Sequence, residues 1–352
     1  MTELLWRPAL FVIGLMLVLL VFQSALRVAI VNRRKGDRLA LFIGHLAYTT
    51  IARLASRRQD FEGIQNALAW VLPVHVLALI TTWFLFVQAG FSLMIWSLQA
   101  EPSLLRAVIA SGSALSTLGF LTPTDLPGEL LAIPEGAFGL GIVVFFFTFI
   151  PGYQTTVQTR EAKVAWLYAR AGSPPTALGF LSWLQGSNRK DDATAVWEDW
   201  EAWFRLLFET HTRTPVVAVV PSVHRGQSWL VAAAVVLDAA SFWLSALDAK
   251  DHASADVCRK TGVNALRSIV LRYSDKRIRD AARIDAEPLS RAAYEAFCRQ
   301  IAAAGVPVKT DTSAAWQSFA SLRREYEHLL PQLAEGLLVP LNNSALLPLA
   351  AD

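Results

Sequence analysis

The residues most suggestive of chemistry form a short uncharged stretch, residues 116–121, between two long apolar runs. Its side chains carry two hydroxyls and no charge. Its chemistry therefore belongs to main-chain carbonyl oxygens, which can replace the water shell of a cation. Gly119 permits backbone angles that other residues resist, and Phe120 can point outward and brace an extended strand. We expect these oxygens to form an ion filter for a monovalent cation. Its residues are Ser116, Thr117, Leu118, Gly119, Phe120 and Leu121.

The segment before this stretch predicts a short helix that enters the membrane without crossing it. Residues 101–116 are apolar, and Pro102 with Ser103 is typical of a helix start. A helix of about 14 residues is too short to span a bilayer, so it is a candidate for a re-entrant or interfacial segment. Its negative C-terminal end would favour a cation nearby. A tight turn between packed transmembrane helices remains the alternative interpretation of residues 116–121.

Three apolar runs predict transmembrane helices, at residues 8–31, 67–98 and 137–157. About 20 apolar residues are enough to cross a bilayer. The composition agrees, since 54% of the residues are hydrophobic and only 17% are charged, whereas soluble domains have about 25% charged residues. The first run could instead be a signal peptide, but it is too long and has no basic start. Pro151-Gly152 should bend or break the end of the third run.

The basic residues predict the orientation of these helices. Residues 27–58 contain several arginines and one lysine but a single acid, Asp37. The connection between the second and third runs contains one base, Arg106. Because basic loops stay in the cytoplasm, the first connection and the C-terminal tail are expected there. The N-terminus and the second connection are expected outside.

Further residues would line the two ends of an ion path. Acids in the second connection would raise the cation concentration at the outer mouth, although a solvated loop explains them equally. These acids are Asp125, Glu129 and Glu135. Phenylalanines of the third run could form a hydrophobic constriction above a hinge, with lipid-facing packing as the alternative. The inner-pore candidates are Phe145, Phe149, Pro151 and Gly152.

Residues 38–57 read as an amphipathic helix, with apolar residues at helical spacing and bases at both ends. Such a helix would lie in the plane of the membrane interface. A cytosolic helix packed on the tail is the alternative.

The tail from residue 159 onward predicts an all-helical cytoplasmic domain. Residues 228–247 are apolar enough for a further span, but Asp238 at their centre favours a buried helix of the soluble domain. The strongest strand signal is residues 215–223. The tail has no phosphate-binding glycine loop, no catalytic set and no metal-ligand spacing, and its basic stretches contain interleaved acids. We therefore expect neither an enzyme, a cofactor nor a nucleic-acid partner. Cys258 and Cys298 fit a reduced, cytosolic setting.

The order helix, re-entrant helix, Thr-x-Gly-Phe, helix resembles the pore module of the potassium-channel superfamily. The family filter is T-x-G-[YF]-G with an acid shortly after, and this chain supplies Thr117, Gly119 and Phe120. It departs from the family at Leu121, which stands in place of the second glycine, and at Asp125, where the acid is displaced. The tail resembles uncharacterised bacterial channel-like membrane proteins, in residues 197–204, 209–215 and 228–240.

This resemblance implies a homotetrameric cation channel, of potassium type, in the inner (plasma) membrane of a bacterium. The fold expected is an all-α membrane protein with three transmembrane helices, a re-entrant pore helix and a helical cytoplasmic domain. Its parts would be an N-terminal helix with an amphipathic segment (1–66), a pore domain (67–158) and the cytoplasmic domain (159–352). The alternative function is a membrane-anchored scaffold or signalling receptor without a pore.

Overall fold

A computed structural model describes residues 3–29, 37–58, 60–123, 125–186, 193–247, 252–273 and 289–339 of the chain. These residues are predominantly helical, which agrees with the predicted all-α membrane class. The chain divides into two compact units, one of Met1–Ile51 with Trp70–Thr155 and one of Ala52–Ala69 with Thr156–Asp352.

The first unit is built on two long apolar helices, α1 (Glu3–Ala29) and α4 (Val71–Ser97), of 27 residues each. At 1.5 Å per residue each is about 40 Å long, which exceeds the hydrocarbon core of a bilayer. The two helices pack together at glycines, since a methyl group on Gly14 would overlap the carbonyl oxygen of Gly90. Small residues allow this close approach of two membrane helices.

The second predicted run, residues 67–98, is not one helix. A short helix α3 (Phe61–Leu68) contains the first two residues of this run, and α4 begins after a turn at Ala69 and Trp70. Pro73 lies in the first turn of α4, where its missing N–H costs least. Its ring would clash with the carbonyl of residue 69, four positions earlier, which explains why the helix cannot extend further back.

Two more helices complete the first unit, the 12-residue α5 (Leu104–Leu115) and the first part of α6 (Leu126–Ala171). The acidic connection was predicted to be a loop up to residue 136, but α6 already begins at Leu126. A bend or a break was predicted at Pro151. Helix α6 does not break there and continues over 46 residues, or about 69 Å. Proline costs a helix one hydrogen bond, and a long helix packed by its other residues tolerates that loss.

Helix α2 (Arg38–Ala55) confirms that the amphipathic segment is helical. Its first turn is tied to both long helices through Asp37, whose carboxylate accepts hydrogen bonds from Ser24 Oγ (2.8 Å) and from the N–H of Ala40 (2.9 Å). Trp83 of α4 donates its indole N–H to the same Ser24 hydroxyl at 3.0 Å. Residues 30–36, which include three of the predicted cytoplasmic bases, lie outside the described residues.

Four helical stretches of the described chain are long and apolar enough to cross a membrane, which makes this a membrane protein. They are Trp6–Val28, Phe61–Ser97, Leu126–Ala171 and Trp229–Ala246. The fourth differs from the others because nearly all of its residues are buried within the second unit.

The second unit packs further helices around that fourth stretch. That stretch is α9 (Trp229–Ala246). The further helices are α7 (Ala177–Gly186), α8 (Ala193–Arg213), α10 (His252–Tyr273), α11 (Arg291–Ala303), α12 (Thr312–Arg324) and α13 (Leu329–Leu337). The aromatic stripe of α8 is part of the core, with Trp197, Trp200 and Phe204 all at 0% exposure. Residues 187–192 and 274–288 lie outside the described residues.

Residues 215–223, the strongest strand signal of the predicted all-helical tail, do not form a strand, because Pro215–Val219 form a 3-10 helix. Two prolines, Pro215 and Pro221, remove N–H donors that a strand would need. Within the described residues the single strand-like pairing is a bridge between Leu247 and Val308, so a strand here would also have no neighbour.

Asp238, at the centre of α9, is fully buried and forms a hydrogen-bonded ion pair inside the second unit. Its Oδ1 accepts the hydroxyl of Tyr326 at 2.6 Å and lies 3.3 Å from Nε of Arg323. Burial, followed by the Asp238 carboxylate, raises the pKa of Tyr326 well above its usual value, so this hydroxyl stays a donor. The charge of Asp238 is therefore balanced by a base of the same unit, Arg323.

We expect Asp238→Ala to destabilise the protein by about 3–5 kcal/mol, because it leaves the buried guanidinium of Arg323 without its carboxylate. Denaturant unfolding of the detergent-solubilised protein, followed by tryptophan fluorescence, measures this loss. Glu295→Ala removes the exposed Arg291–Glu295 pair and is the control, with an expected cost below about 1 kcal/mol. Equal costs for the two variants would contradict the buried-pair interpretation.

A second buried network joins Arg160 of α6 to His211 of α8, both essentially without exposure. The Arg160 guanidinium donates to the carbonyls of Val217 (3.1 Å) and Val220 (2.7 Å), pairs with Glu161, and lies 3.3 Å from His211 Nε2. Burial and then the charge of Arg160 lower the pKa of His211 well below its usual value. The imidazole is therefore neutral and accepts from Arg160.

Because the folded state holds His211 neutral, its contribution to stability is present above the unfolded pKa of about 6.5 and is lost as the pH falls below it. We expect His211→Gln, which does not titrate, to reduce the acid-side slope of the unfolding free energy by up to about 1.4 kcal/mol per pH unit. Unfolding curves between pH 5 and 8 measure the slope. The exposed His224→Gln is the control, and an unchanged slope in His211→Gln would contradict this assignment.

Candidate ion-filter segment

Helix α5 positions the candidate filter by its C-terminal end. Ser103 caps its start, with the side chain accepting from the N–H of Arg106, so the predicted helix start is correct. The helix then packs along α4, where the Ser111 hydroxyl lies 3.1 Å from the carbonyl of Gln88. Its last residue, Leu115, is 1% exposed, and the filter residues follow directly.

The filter residues turn back around the end of α5 instead of forming the extended strand that was expected. The N–H of Thr117 donates to the carbonyl of Ala114 (3.0 Å), and the N–H of Gly119 donates to the carbonyl of Ser113 (3.2 Å). The N–H of Leu121 donates to the Ser113 hydroxyl at 2.9 Å. In contrast, the carbonyl oxygens of residues 117–120 accept no hydrogen bond from any described residue.

The backbone of the segment is unusual because φ changes sign at successive residues. Thr117 has φ of +58° and Gly119 has φ of +67°, with negative values around them. A positive φ is easy for glycine but is a genuine outlier for a β-branched residue. Such strain, about 1–3 kcal/mol per residue, concentrates at binding and active sites. Thr117 therefore marks this segment as a candidate site independently of its sequence motif.

The segment is also uncovered in the single chain. Leu118 is 72% exposed and Phe120 is 67% exposed, so Phe120 does not brace the segment within its own chain. Two large apolar side chains at a strained turn call for a partner surface, either lipid or another protein.

The structure places the three predicted outer acids in two different environments. Asp125 and Glu129 are exposed, just before and within the first turn of α6, where they also complement the helix dipole. Glu135 is different, because it is helical and 0% exposed, so its assignment to an open mouth is wrong. Its Oε1 accepts a short hydrogen bond from the Ser111 hydroxyl on α5. The loop prediction missed the helix that turns this side chain inward.

The inner-pore candidates also differ in their environments, since two are packed and two are exposed. Phe145 packs edge-on against Trp83 of α4 (5.1 Å between ring centroids) and stacks on Phe149 (4.6 Å), so both belong to the packing of α6. The most exposed phenylalanine of this run is Phe147, at 70%. Pro151 and Gly152 are exposed and lie within a continuous helix.

Sequence reasoning missed Ser111, Ser113 and Gly139. The two serines hold Glu135 and the filter backbone, respectively, and Gly139 lets α6 contact the last turn of α5. A methyl group on Gly139 would overlap the carbonyl oxygen of Leu115. Two hydroxyl side chains spaced two residues apart, near the end of a short apolar helix, were the one feature of the sequence that could have indicated the serines. The contact between α5 and α6 could not be predicted from the sequence.

The part of the chain that the structure describes contains no cluster of His, Cys, Asp and Glu side chains that could hold a metal ion. Comparison with known proteins found no matching family model, no similar curated protein and no similar solved structure. Inference about function therefore rests on the geometry of the segment itself.

We expect Gly139→Ala to displace α6 from α5 and to cost about 1–3 kcal/mol, because the added methyl meets backbone that cannot move aside. Gly141→Ala is the matched control, two residues along the same helix, where an added methyl meets nothing within 4 Å. Thermal unfolding in detergent compares the two variants. A Gly139→Ala protein as stable as Gly141→Ala would contradict the close contact.

Proposed function

We propose that the protein is a homo-oligomeric cation channel whose filter is made of main-chain carbonyls at Thr117, Leu118, Gly119 and Phe120. One observation carries this proposal. The N–H groups of Thr117, Gly119 and Leu121 donate to α5, whereas the carbonyl oxygens of residues 117–120 accept no hydrogen bond from the described residues. Free carbonyls at a strained turn are suited to replacing the water of a cation.

The dimensions of α5 support a re-entrant segment. Its 12 residues rise about 18 Å, which is too short for a hydrocarbon core of about 30 Å. It lies between the ends of two helices that are each long enough to cross, α4 and α6. Its C-terminal end is the negative end of the helix dipole, which favours a cation beside residues 116–121.

An oligomer follows from the geometry of coordination. A single segment surrounds a cation on one side only, so several copies must meet at an axis, and closed cyclic symmetry provides this. We propose four copies, as in carbonyl-lined filters of this kind. The exposed side chains of Leu118 and Phe120 would then be covered by neighbouring subunits.

The proposed topology has three spans, α1, α4 and α6, with the N-terminus outside and the second unit in the cytoplasm of a bacterium. Helix α9 stays out of the membrane in this topology, because its buried Asp238–Arg323 pair is surrounded by the other helices of its unit. The second unit would assemble the oligomer or respond to a cytosolic signal. Potassium is the proposed ion, with Leu121 in place of a second glycine relaxing strict selectivity.

The remaining predicted residues take modest roles in this proposal. Asp125 and Glu129, both exposed, would attract cations to the outer mouth. Pro151 and Gly152 would lie along the inner part of α6. Phe147, which was not among the predicted residues, is exposed on the same helix, and an apolar side chain there can close a pore by dewetting.

The test is ion flux through liposomes containing the purified protein. We expect wild-type protein to carry potassium faster than sodium, and Gly119→Ala to reduce this flux by at least tenfold, because alanine resists a φ of +67°. Gly226→Ala is the matched control, since Gly226 has φ of +73° in the second unit and also meets nothing within 4 Å.

Equal flux in the two variants would contradict the filter assignment. A wild-type protein that is monomeric in mild detergent and moves no ions would favour the membrane-anchored scaffold or receptor.

A further inference from the structure

An acidic side chain lies buried directly behind the end of α5. Glu135 of α6 is 0% exposed, and so is Ser111 of α5, whose hydroxyl donates to Glu135 Oε1. The same hydroxyl lies 3.1 Å from the carbonyl of Gln88 on α4. This one contact therefore joins the three helices that surround the candidate filter.

Burying the carboxyl group of Glu135 at this position costs free energy. Its second oxygen, Oε2, is buried and has no hydrogen-bond partner among the described residues. A buried polar group without a partner costs free energy that an apolar residue at the same place would avoid. Simple helix packing is thus a poor explanation of Glu135, and a positional requirement at Ser111 is a better one.

The contact with Ser111 is close to the filter along α5. Ser113, two residues further, accepts the N–H of Gly119 at its carbonyl and the N–H of Leu121 at its hydroxyl. On α6, Gly139 lies one turn after Glu135 and contacts the carbonyl of Leu115. Glu135 and Gly139 are on the same side of α6, so together they fix both the rotation and the distance of the last turn of α5.

We propose that Glu135 is a positioning residue for the ion filter. Its hydrogen bond with Ser111 fixes the rotation of α5 about its own axis. That rotation sets the direction in which the carbonyls of residues 117–120 point. Loss of the hydrogen bond between Glu135 and Ser111 therefore changes the ion selectivity of the filter. The selectivity part of this proposal rests on the proposed channel function, whereas the structural part does not.

The first experiment measures amide hydrogen exchange of residues 113–121 in the detergent-solubilised full-length protein. Glu135→Ala and Ser111→Ala each remove one partner of the bond, and we expect about tenfold faster exchange at Gly119 and Leu121 in both. Glu135→Gln keeps an acceptor oxygen for Ser111 and should stay within about twofold of the wild-type rate. Glu295→Ala, which removes an exposed acid of the second unit, is the control. Unchanged exchange in Glu135→Ala and Ser111→Ala overturns the proposal.

The second experiment measures the potassium-to-sodium permeability ratio from reversal potentials in liposomes or planar bilayers. We expect Glu135→Ala and Ser111→Ala to lower the ratio at least threefold, with Glu135→Gln and Glu295→Ala close to wild type. A residue with only a structural role would change the amount of folded protein and leave the ratio unaltered.

The two possible failures are distinguishable. Wild-type protein that conducts no ion overturns the channel function and the selectivity role with it, while hydrogen exchange still decides whether Glu135 fixes the segment. Wild-type protein that conducts, with an unchanged ratio in Glu135→Ala, overturns the selectivity role alone.

Discussion

The structure of the first unit depends on how the turn after α5 satisfies its backbone. In an apolar surrounding every N–H and C=O group needs a partner, and irregular backbone is tolerated only where it is buried in protein or lines a watery path. Here Ser113 and Ala114 take up the donors of Thr117, Gly119 and Leu121. The acceptors of residues 117–120 remain open. This asymmetry is opposite to an anion site, where N–H groups face the ligand.

Several features of the unit follow from the need to hold this turn in place. The end of α5 must have a fixed position. The absence of a side chain at Gly139 lets α6 contact the carbonyl of Leu115, the last residue of α5. Helix α4 supports the other side through Gln88, whose side-chain amide donates to the carbonyl of Val108 at 3.4 Å. Trp83, fully buried, links α4 to α1 through Ser24 and to α6 through Phe145. The strained φ of Thr117 is stable because these contacts surround the helix that precedes it.

Much of this architecture could be predicted from composition and periodicity. The long apolar helices, the short α5 with its Ser103 cap, the amphipathic α2 and the buried helix around Asp238 all follow from local sequence and the cost of placing a charge in lipid. The predictions failed where tertiary contacts decide the outcome. Glu135 was assigned to a loop because proline and glycine surround it, yet α6 begins earlier and turns it toward Ser111. Residues 215–223 have local strand propensity but form no strand, because β-branched residues need a neighbouring strand as well.

The central claim is that residues 116–121 of several subunits meet at one axis, and the distance between labelled copies tests it most directly. A nitroxide label at Thr122→Cys, which is exposed beside the segment while Cys258 and Cys298 are buried, reports this by pulsed electron spin resonance in lipid nanodiscs. The account predicts two distances in a ratio of about 1.4, the side and the diagonal of a four-fold ring. A sample without dipolar coupling between subunits, at full labelling, would contradict it.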